Sequence, residues 1–359
     1  MMVDLRDRHL WISVVTGLLL GGLGVLLTVW GNPENSGICV SCFMENVAGA
    51  IGLHNNSRLQ YLRPELIGFV LGAMGSAAAF REFRSRGGSA PLPRLVSGIF
   101  LMVGCAVFIG CPIKLFLRLG AGDLTALAGV VGLVAGVWFG LRGLMRGVEL
   151  EPAAPERGGS GLLVPAFFLL LLSFLLVRPG FVAFSARGSA TQHAAWFVSL
   201  AVGLLLGALA QRSRFCITGS VRDAFLFGLR SNAPLGIVAF LIATVVVAAA
   251  SGRFHAGFDG QPGAHGDAVW SFLGMALVGW ISVLIGGCPF RQLIKAGEGD
   301  ADAGLVVVGM LIGAALVQAW GIAATAAGVP VAGKVAVLAG FVYLSANGLL
   351  LRARSSDAA

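Results

Sequence analysis

Six cysteines punctuate this chain, and four of them fall into a pattern. Gly110-Cys-Pro-Ile-Lys-Leu-Phe-Leu-Arg-Leu-Gly-Ala-Gly-Asp123 aligns without gaps to Gly287-Cys-Pro-Phe-Arg-Gln-Leu-Ile-Lys-Ala-Gly-Glu-Gly-Asp300. Cys111 and Cys288 lie 177 positions apart, and so do Cys39 and Cys216. Two distant anchors at one offset mark an internal repeat. An ionised thiol is a nucleophile, a redox partner or a metal ligand, whereas a neutral one is a soft, weakly hydrogen-bonding group. Lys114 and Arg291, each three residues past its cysteine, place a positive charge beside the thiol in both copies. Cys39 and Cys42 form a CxxC, a redox pair or half a metal set. The repeat answers Cys42 with Gly219, there is no second CxxC, and none of the five histidines stands in a ligand-spaced pair, so neither a metal nor any other cofactor is expected. Gly328-Val-Pro-Val-Ala-Gly-Lys334 approaches a phosphate-binding loop but ends in Val335 instead of Ser or Thr, and the match is accidental.

The elements that must carry these residues are membrane helices. Of the 359 residues 57% are hydrophobic and 12% charged, against about 25% charged in a soluble domain. The apolar residues gather in runs of about 20, the length that crosses about 30 Å of hydrocarbon. Fifty-three glycines suit close helix packing in lipid. Ten spans are predicted, over about 10–30, 64–80, 95–109, 124–144, 162–177, 194–210, 234–250, 269–285, 303–322 and 331–351. The opening stretch is read as the first span and not as a cleaved signal, since its apolar run is long and its head carries two aspartates. A first repeat over 1–147, a linker over 148–160 and a fifth span with the second repeat over 161–359 follow. Five spans per repeat, an odd number, force the second copy to run inverted.

The net charge of +8 sits in short loops at span ends, which marks cytoplasmic segments and speaks against a nucleic-acid partner. Arg81, Arg84, Arg86, Arg94, Arg142, Arg146, Arg157, Arg212, Arg214, Arg222, Arg230, Arg352 and Arg354 fit both termini in the cytoplasm. The loops of Cys39 and Cys111 then enter from outside, and those of Cys216 and Cys288 from the cytoplasm. Gly-Cys-Pro breaks the third span, because proline removes a donor and disfavours helix in the residue before it. A broken helix within lipid survives only against protein or a water-filled cavity, and its inward N-terminus suits an anion. Arg118 and Lys295 are expected to snorkel at helix ends. Asp123 and Asp300 are expected to cap the spans that follow, and Cys105 to be core packing.

The chain resembles the YeeE/YedE family of membrane transporters for inorganic sulfur and selenium species. The resemblance rests on Gly-Ile-Cys39-Val-Ser-Cys42-Phe-Met-Glu-Asn, Gly52-Leu-His-Asn, Gln60-Tyr-Leu-Arg-Pro-Glu65, Phe80-Arg-Glu-Phe-Arg-Ser-Arg-Gly-Gly-Ser89, both Gly-Cys-Pro loops and Arg214-Phe-Cys-Ile-Thr-Gly-Ser-Val-Arg-Asp223. It is similar in particular to the YedE-like selenium branch. The resemblance implies inward-dipping loops whose cysteines relay substrate, roles that carry over to Cys39, Cys111 and Cys288, with Cys216 beside them and Cys42 as a further candidate.

The expectation is therefore an all-α integral membrane protein of about ten crossing helices in two inverted-topology repeats, with re-entrant or broken-helix cysteine loops. It takes up a small inorganic selenium- or sulfur-containing anion across the inner membrane without enzymatic turnover. Cys39, Cys111, Cys216 and Cys288 relay the anion, and Lys114 and Arg291 attract it. Expected partners are the chalcogen anion, membrane lipid and a soluble sulfur- or selenium-handling protein on the cytoplasmic side. Two rivals stand beside it: a membrane thiol–disulfide oxidoreductase using Cys39–Cys42 with a quinone, and a passive scaffold for a soluble sulfurtransferase.

Overall fold

The computed structural model describes residues 8–156, 159–228 and 231–357, the last six of these by backbone alone. Arg157 and Arg230 lie outside the described residues. Helices account for nearly all the regular structure. The first half runs through α1 (Arg8–Val29), α2 (Val40–Ala50), α3 (Pro64–Ala79), α4 (Pro91–Phe108), α5 (Pro112–Gly120), α6 (Ala126–Leu144) and α7 (Leu163–Val177). The second runs through α8 (Trp196–Ser213), α9 (Ile217–Phe227), α10 (Asn232–Ala250), α11 (Ala268–Leu284), α12 (Pro289–Gly297), α13 (Ala301–Ala319) and α14 (Val331–Asp357). Among the described residues nine stretches are long and apolar enough to cross a bilayer, and α3, with 16 residues, is a shorter tenth. The chain is an all-α multi-pass membrane protein.

The halves correspond helix for helix. The short helices α2 and α9 start and stop 177 residues apart, as do α5 and α12. Direction reverses between the copies. The start of α1 (His9, Ser13) lines one cavity together with the end of its counterpart α8 (Ser213, Arg214). The end of α1 (Thr28, Val29) lines another together with Ser189 and Gln192, just ahead of α8. At 1.5 Å per residue, the α1 residues that line the two cavities, Ser13 and Thr28, stand about 22 Å apart along the helix. We call the face at which α1 begins the N face and the other the far face.

The halves do not stand apart. The principal helix pairs, α6 with α11, α4 with α13, α3 with α8 and α1 with α10, all join one half to the other. Backbones meet at the seams. A Cβ on Gly132 would fall 2.1 Å from the Phe272 carbonyl oxygen, and one on Gly309 would fall 2.1 Å from that of Leu95. Both positions of the first contact recur 177 residues away in the second, so the seam is built twice. The linker turns back along the N face, where β2 (Ala154–Pro155) pairs antiparallel with β1 (Arg86–Gly87) between α3 and α4.

Many loop basic residues lie on the N face, while Arg58 and Arg253 border the far-face cavity. Arg86 bonds Asp300 at 3.1 Å, and Arg212 bonds Glu82 at 2.6 Å. Arg118 departs from the expectation of snorkelling. It is 1% exposed and its Nε lies 2.6 Å from Asp123 Oδ2. Lys295, partly exposed, faces Asp300 at 3.5 Å. Asp300 caps α13 by accepting from the Ala303 amide at 2.8 Å. Asp123 does not cap α6 itself: Thr125 holds that position, and Asp123 accepts from the Thr125 amide while it holds Arg118.

Candidate functional site

Four helices begin on cysteine. Cys39 is the N-cap of α2, Cys111 of α5, Cys216 of α9 and Cys288 of α12. Local chemistry fixes each start. Pro112 and Pro289 occupy the first helical position, where a missing amide hydrogen costs nothing, and each holds the preceding cysteine extended, with ψ of 171° and 170°. Ahead of the prolines, Ile109 and Gly286, 177 residues apart, both take the left-handed conformation that ends a helix. In α2 and α9 the thiol itself caps: Cys39 Sγ accepts from the Cys42 amide at 3.4 Å, and Cys216 Sγ from the Gly219 amide at 3.3 Å. Helix N-termini, the positive ends of their dipoles, thus meet in pairs at thiols.

In the first half Cys39 lies within hydrogen-bonding reach of Cys111 and 2.7 Å from Cys42 Sγ. The Ser41 hydroxyl is 3.5 Å from Cys39 and also meets Cys105. Cys105 therefore borders the cluster and is more than distant packing. Lys114 sits behind Cys42, 2% exposed, its Nζ 4.0 Å from the thiol. No carboxylate lies within ion-pair distance of Lys114 among the described residues. Gly263, at φ +64°, leaves it room, since a Cβ there would stand 2.8 Å from Nζ.

The second half repeats the arrangement with different groups. Cys216 Sγ accepts from the Cys288 amide at 3.4 Å, lies within reach of the Cys288 thiol and is 3.2 Å from Thr218 Oγ1. Arg291 takes the place of Lys114 but is engaged, 2.9 Å from Glu298 and 3.5 Å from the Ala210 carbonyl oxygen. The counterpart of Cys105 is Ser282, buried with no hydrogen-bond partner for its hydroxyl among the described residues. The first half thus presents four clustered thiols where the second presents two thiols, hydroxyls and a glycine.

Each cluster opens to its own cavity. On the far face a cavity of about 990 Å³ touches Cys42, Glu45, Arg63 and Lys114. On the N face a cavity of about 400 Å³ touches Cys216, Thr218, Ser282 and Arg291. Cys39, Cys111 and Cys288 line neither cavity and are buried. The structure brings Cys39, Cys42, Cys111 and Lys114 together in one group and Cys216, Cys288 and Arg291 in the other.

Three wall residues escaped the reading of motifs. Arg63 is buried, with its guanidinium 4.6 Å from the Phe43 ring and 5.2 Å from that of Tyr61, and donates to Asn46 Oδ1 at 2.6 Å. Glu45 lies one helical turn past Cys42, a spacing visible in the sequence. Ser282 could have been found by applying the 177-residue offset to Cys105.

Residues 212–343 match the family model described as Sulphur transport, a stretch that contains Cys216, Cys288 and Arg291. A search of curated proteins finds no match.

Proposed function

Taking the sulphur-transport match of the second half as the premise, we propose that this protein takes up a small inorganic sulfur- or selenium-containing anion across the inner membrane. The anion is passed from Cys42 and Cys39 to Cys111, and then to Cys288 and Cys216. One observation carries the reading: cysteine-capped helix N-termini meet in two inverted pairs, each beside a cavity on an opposite face. Neutral thiols in a low-dielectric interior are soft and hold an anion loosely, and a conduit must bind well enough to admit and weakly enough to release. Lys114, unpaired and buried, draws the anion into the far-face cavity. Arg291, already shared with Glu298, attracts it less strongly at the other end. The basic N face, on which both ends of the described chain emerge, is the cytoplasmic one under the positive-inside rule. There a soluble sulfur- or selenium-handling protein receives the anion.

No bond is made or broken on this route. The oxidoreductase alternative draws on the Cys39–Cys42 pair alone, and nothing on the cavity walls adds to it. The discriminating experiment is uptake of labelled thiosulfate and labelled selenite into vesicles, wild type beside single alanine variants of Cys39, Cys42, Cys111, Cys216 and Cys288. Loss of a relay thiol should lower uptake by at least tenfold for Cys39, Cys111 and Cys288, about 1.4 kcal/mol or more on the barrier, while Cys42→Ala retains measurable transport. Cys111→Ala and Cys288→Ala variants that transport at the wild-type rate would overturn the relay.

A further inference from the structure

The far-face cavity contains a group that an anion path should exclude. Two acids lie on its wall, Glu34 and Glu45. Glu34 is neutralised by Arg253 at 2.8 Å. Glu45 has no basic side chain within ion-pair distance among the described residues, yet it projects from the same face of α2 as Cys42, one turn away. Its Oε2 accepts a hydrogen bond from Gln318 Nε2. Gln318 is held in that sense because Asn56 Nδ2 donates to its Oε1 at 2.9 Å. No protein group among the described residues satisfies Oε1 of Glu45. In the second half the same repeat position carries Arg222, on the wall of the N-face cavity.

A bare carboxylate beside Cys42 would repel the anion that Lys114 attracts. Protonated, the same group becomes a donor, with an O–H free to bond an anion in the cavity. We propose that Glu45 is a proton-binding site, and that the far-face cavity admits its anion against the protonated carboxyl, which works with Lys114 and Cys42 as one recognition site. This rests on the transport reading above and adds to it the ion to which uptake is linked. The proton comes from the water outside, binds Oε1 and is donated in a hydrogen bond to the anion.

The groups that face Glu45 are few. Cys39 and Cys42 come from its own helix, Lys114 from α5, Arg63 from the start of α3 and the neutral Gln318 from α13. His54, in the loop after α2, has Nε2 2.8 Å from the Glu45 backbone carbonyl oxygen, and burial holds its ring below the usual imidazole range. Arg58 stands on the same cavity wall.

The test is thiosulfate uptake into sealed vesicles as a function of external pH, at a concentration well below saturation. Wild-type uptake should fall as external pH rises, approaching about tenfold per unit once the carboxyl ionises, the limit for a single linked proton. Glu45→Gln, which keeps the shape and a hydrogen-bond donor, should transport with a flat profile. Lys114→Gln should transport less at every pH with the slope retained, and His54→Gln should keep the wild-type slope. A folded Glu45→Gln protein that shows the wild-type slope, or that is inactive at all pH values, overturns the proposal. Should that variant fail to fold, wild-type protein in weakly buffered detergent provides the second measurement. At a pH on the falling limb of the uptake profile, where the free carboxyl is ionised, thiosulfate must draw up to one proton from solution per anion bound, and no proton uptake there overturns the assignment. A wild type that takes up neither thiosulfate nor selenite at any pH is a different result, and it removes the transport reading itself.

Discussion

A guanidinium taken out of water needs hydrogen-bond partners, and each of the three nitrogens of Arg118 has one. Its Nε meets Asp123 at 2.6 Å, one terminal nitrogen donates to the Phe108 carbonyl oxygen at 3.1 Å, the other to Thr125 Oγ1 at 2.7 Å, and the Phe108 ring lies 4.4 Å away. One side chain therefore ties the end of α4 to the start of α6 across α5, and so fixes the helix that Cys111 begins. The second copy spreads the same work over Lys295, Arg86 and Arg291 against Asp300 and Glu298, nearer to water. Breaking a buried pair by removing one partner costs about 3–5 kcal/mol, because the other charge is left uncompensated. Arg118→Met should lower the unfolding temperature of the detergent-solubilised protein accordingly. Lys295→Met, with Arg86 still on Asp300, should cost about 1 kcal/mol or less. Equal shifts for the two variants would show that the copies are held alike. The repeat exposed these basic and acidic positions in the sequence, but not their pairing. The turn through Gly122, at φ +96°, brings a residue five places on back against the guanidinium, a contact that helical spacing does not foretell.

Long helices were legible because a bilayer imposes a run length, and the ten expected spans coincide with the ten long helices to within a few residues. The short ones were harder to see. Helices α2 and α9 carry Glu45 and Arg222 among their apolar residues, so no hydropathy run announces them; the cysteine anchors and their common offset mark the segments only as loops. Nor does hydropathy tell which glycines hold helices together. On α6 a Cβ at Gly136 would fall 2.0 Å from the Ala276 carbonyl oxygen of α11, whereas one at Gly75 on α3 would meet nothing within 4 Å. Backbone cannot yield as a side-chain tip can. Gly136→Ala should therefore part the seam between the halves and destabilise the protein by about 1–3 kcal/mol. Gly75→Ala should be neutral or stabilising by up to about 1 kcal/mol, the helix propensity of alanine over glycine. Thermal unfolding of the two purified variants, compared side by side, decides it: an equal effect would mean that close backbone approach does not hold α6 to α11.

At the scale of the whole molecule, inversion gives two copies of one device openings on opposite faces. Because α1 and α8 run in opposite senses, the same thiol-capped helix meets the far-face cavity in one copy and the N-face cavity in the other. Had the copies been parallel, both cavities would open on one side and no route through the bilayer would follow. The thiols can report this directly. Cys42 is the half-buried member of its cluster and touches the far-face cavity, and Cys216 touches the N-face cavity, while Cys105 and Cys111 are shielded from both. With single-cysteine variants in sealed right-side-out vesicles, a small membrane-impermeant alkylating reagent should label the Cys42 protein and spare the Cys216 protein. In inverted vesicles the order should reverse, and a variant retaining Cys105 alone should stay unlabelled in both. Excess thiosulfate should slow labelling at Cys42, since the anion competes for the space beside Lys114. Labelling of Cys216 from the outside would place its cavity on the wrong face, and with it the direction in which the relay runs.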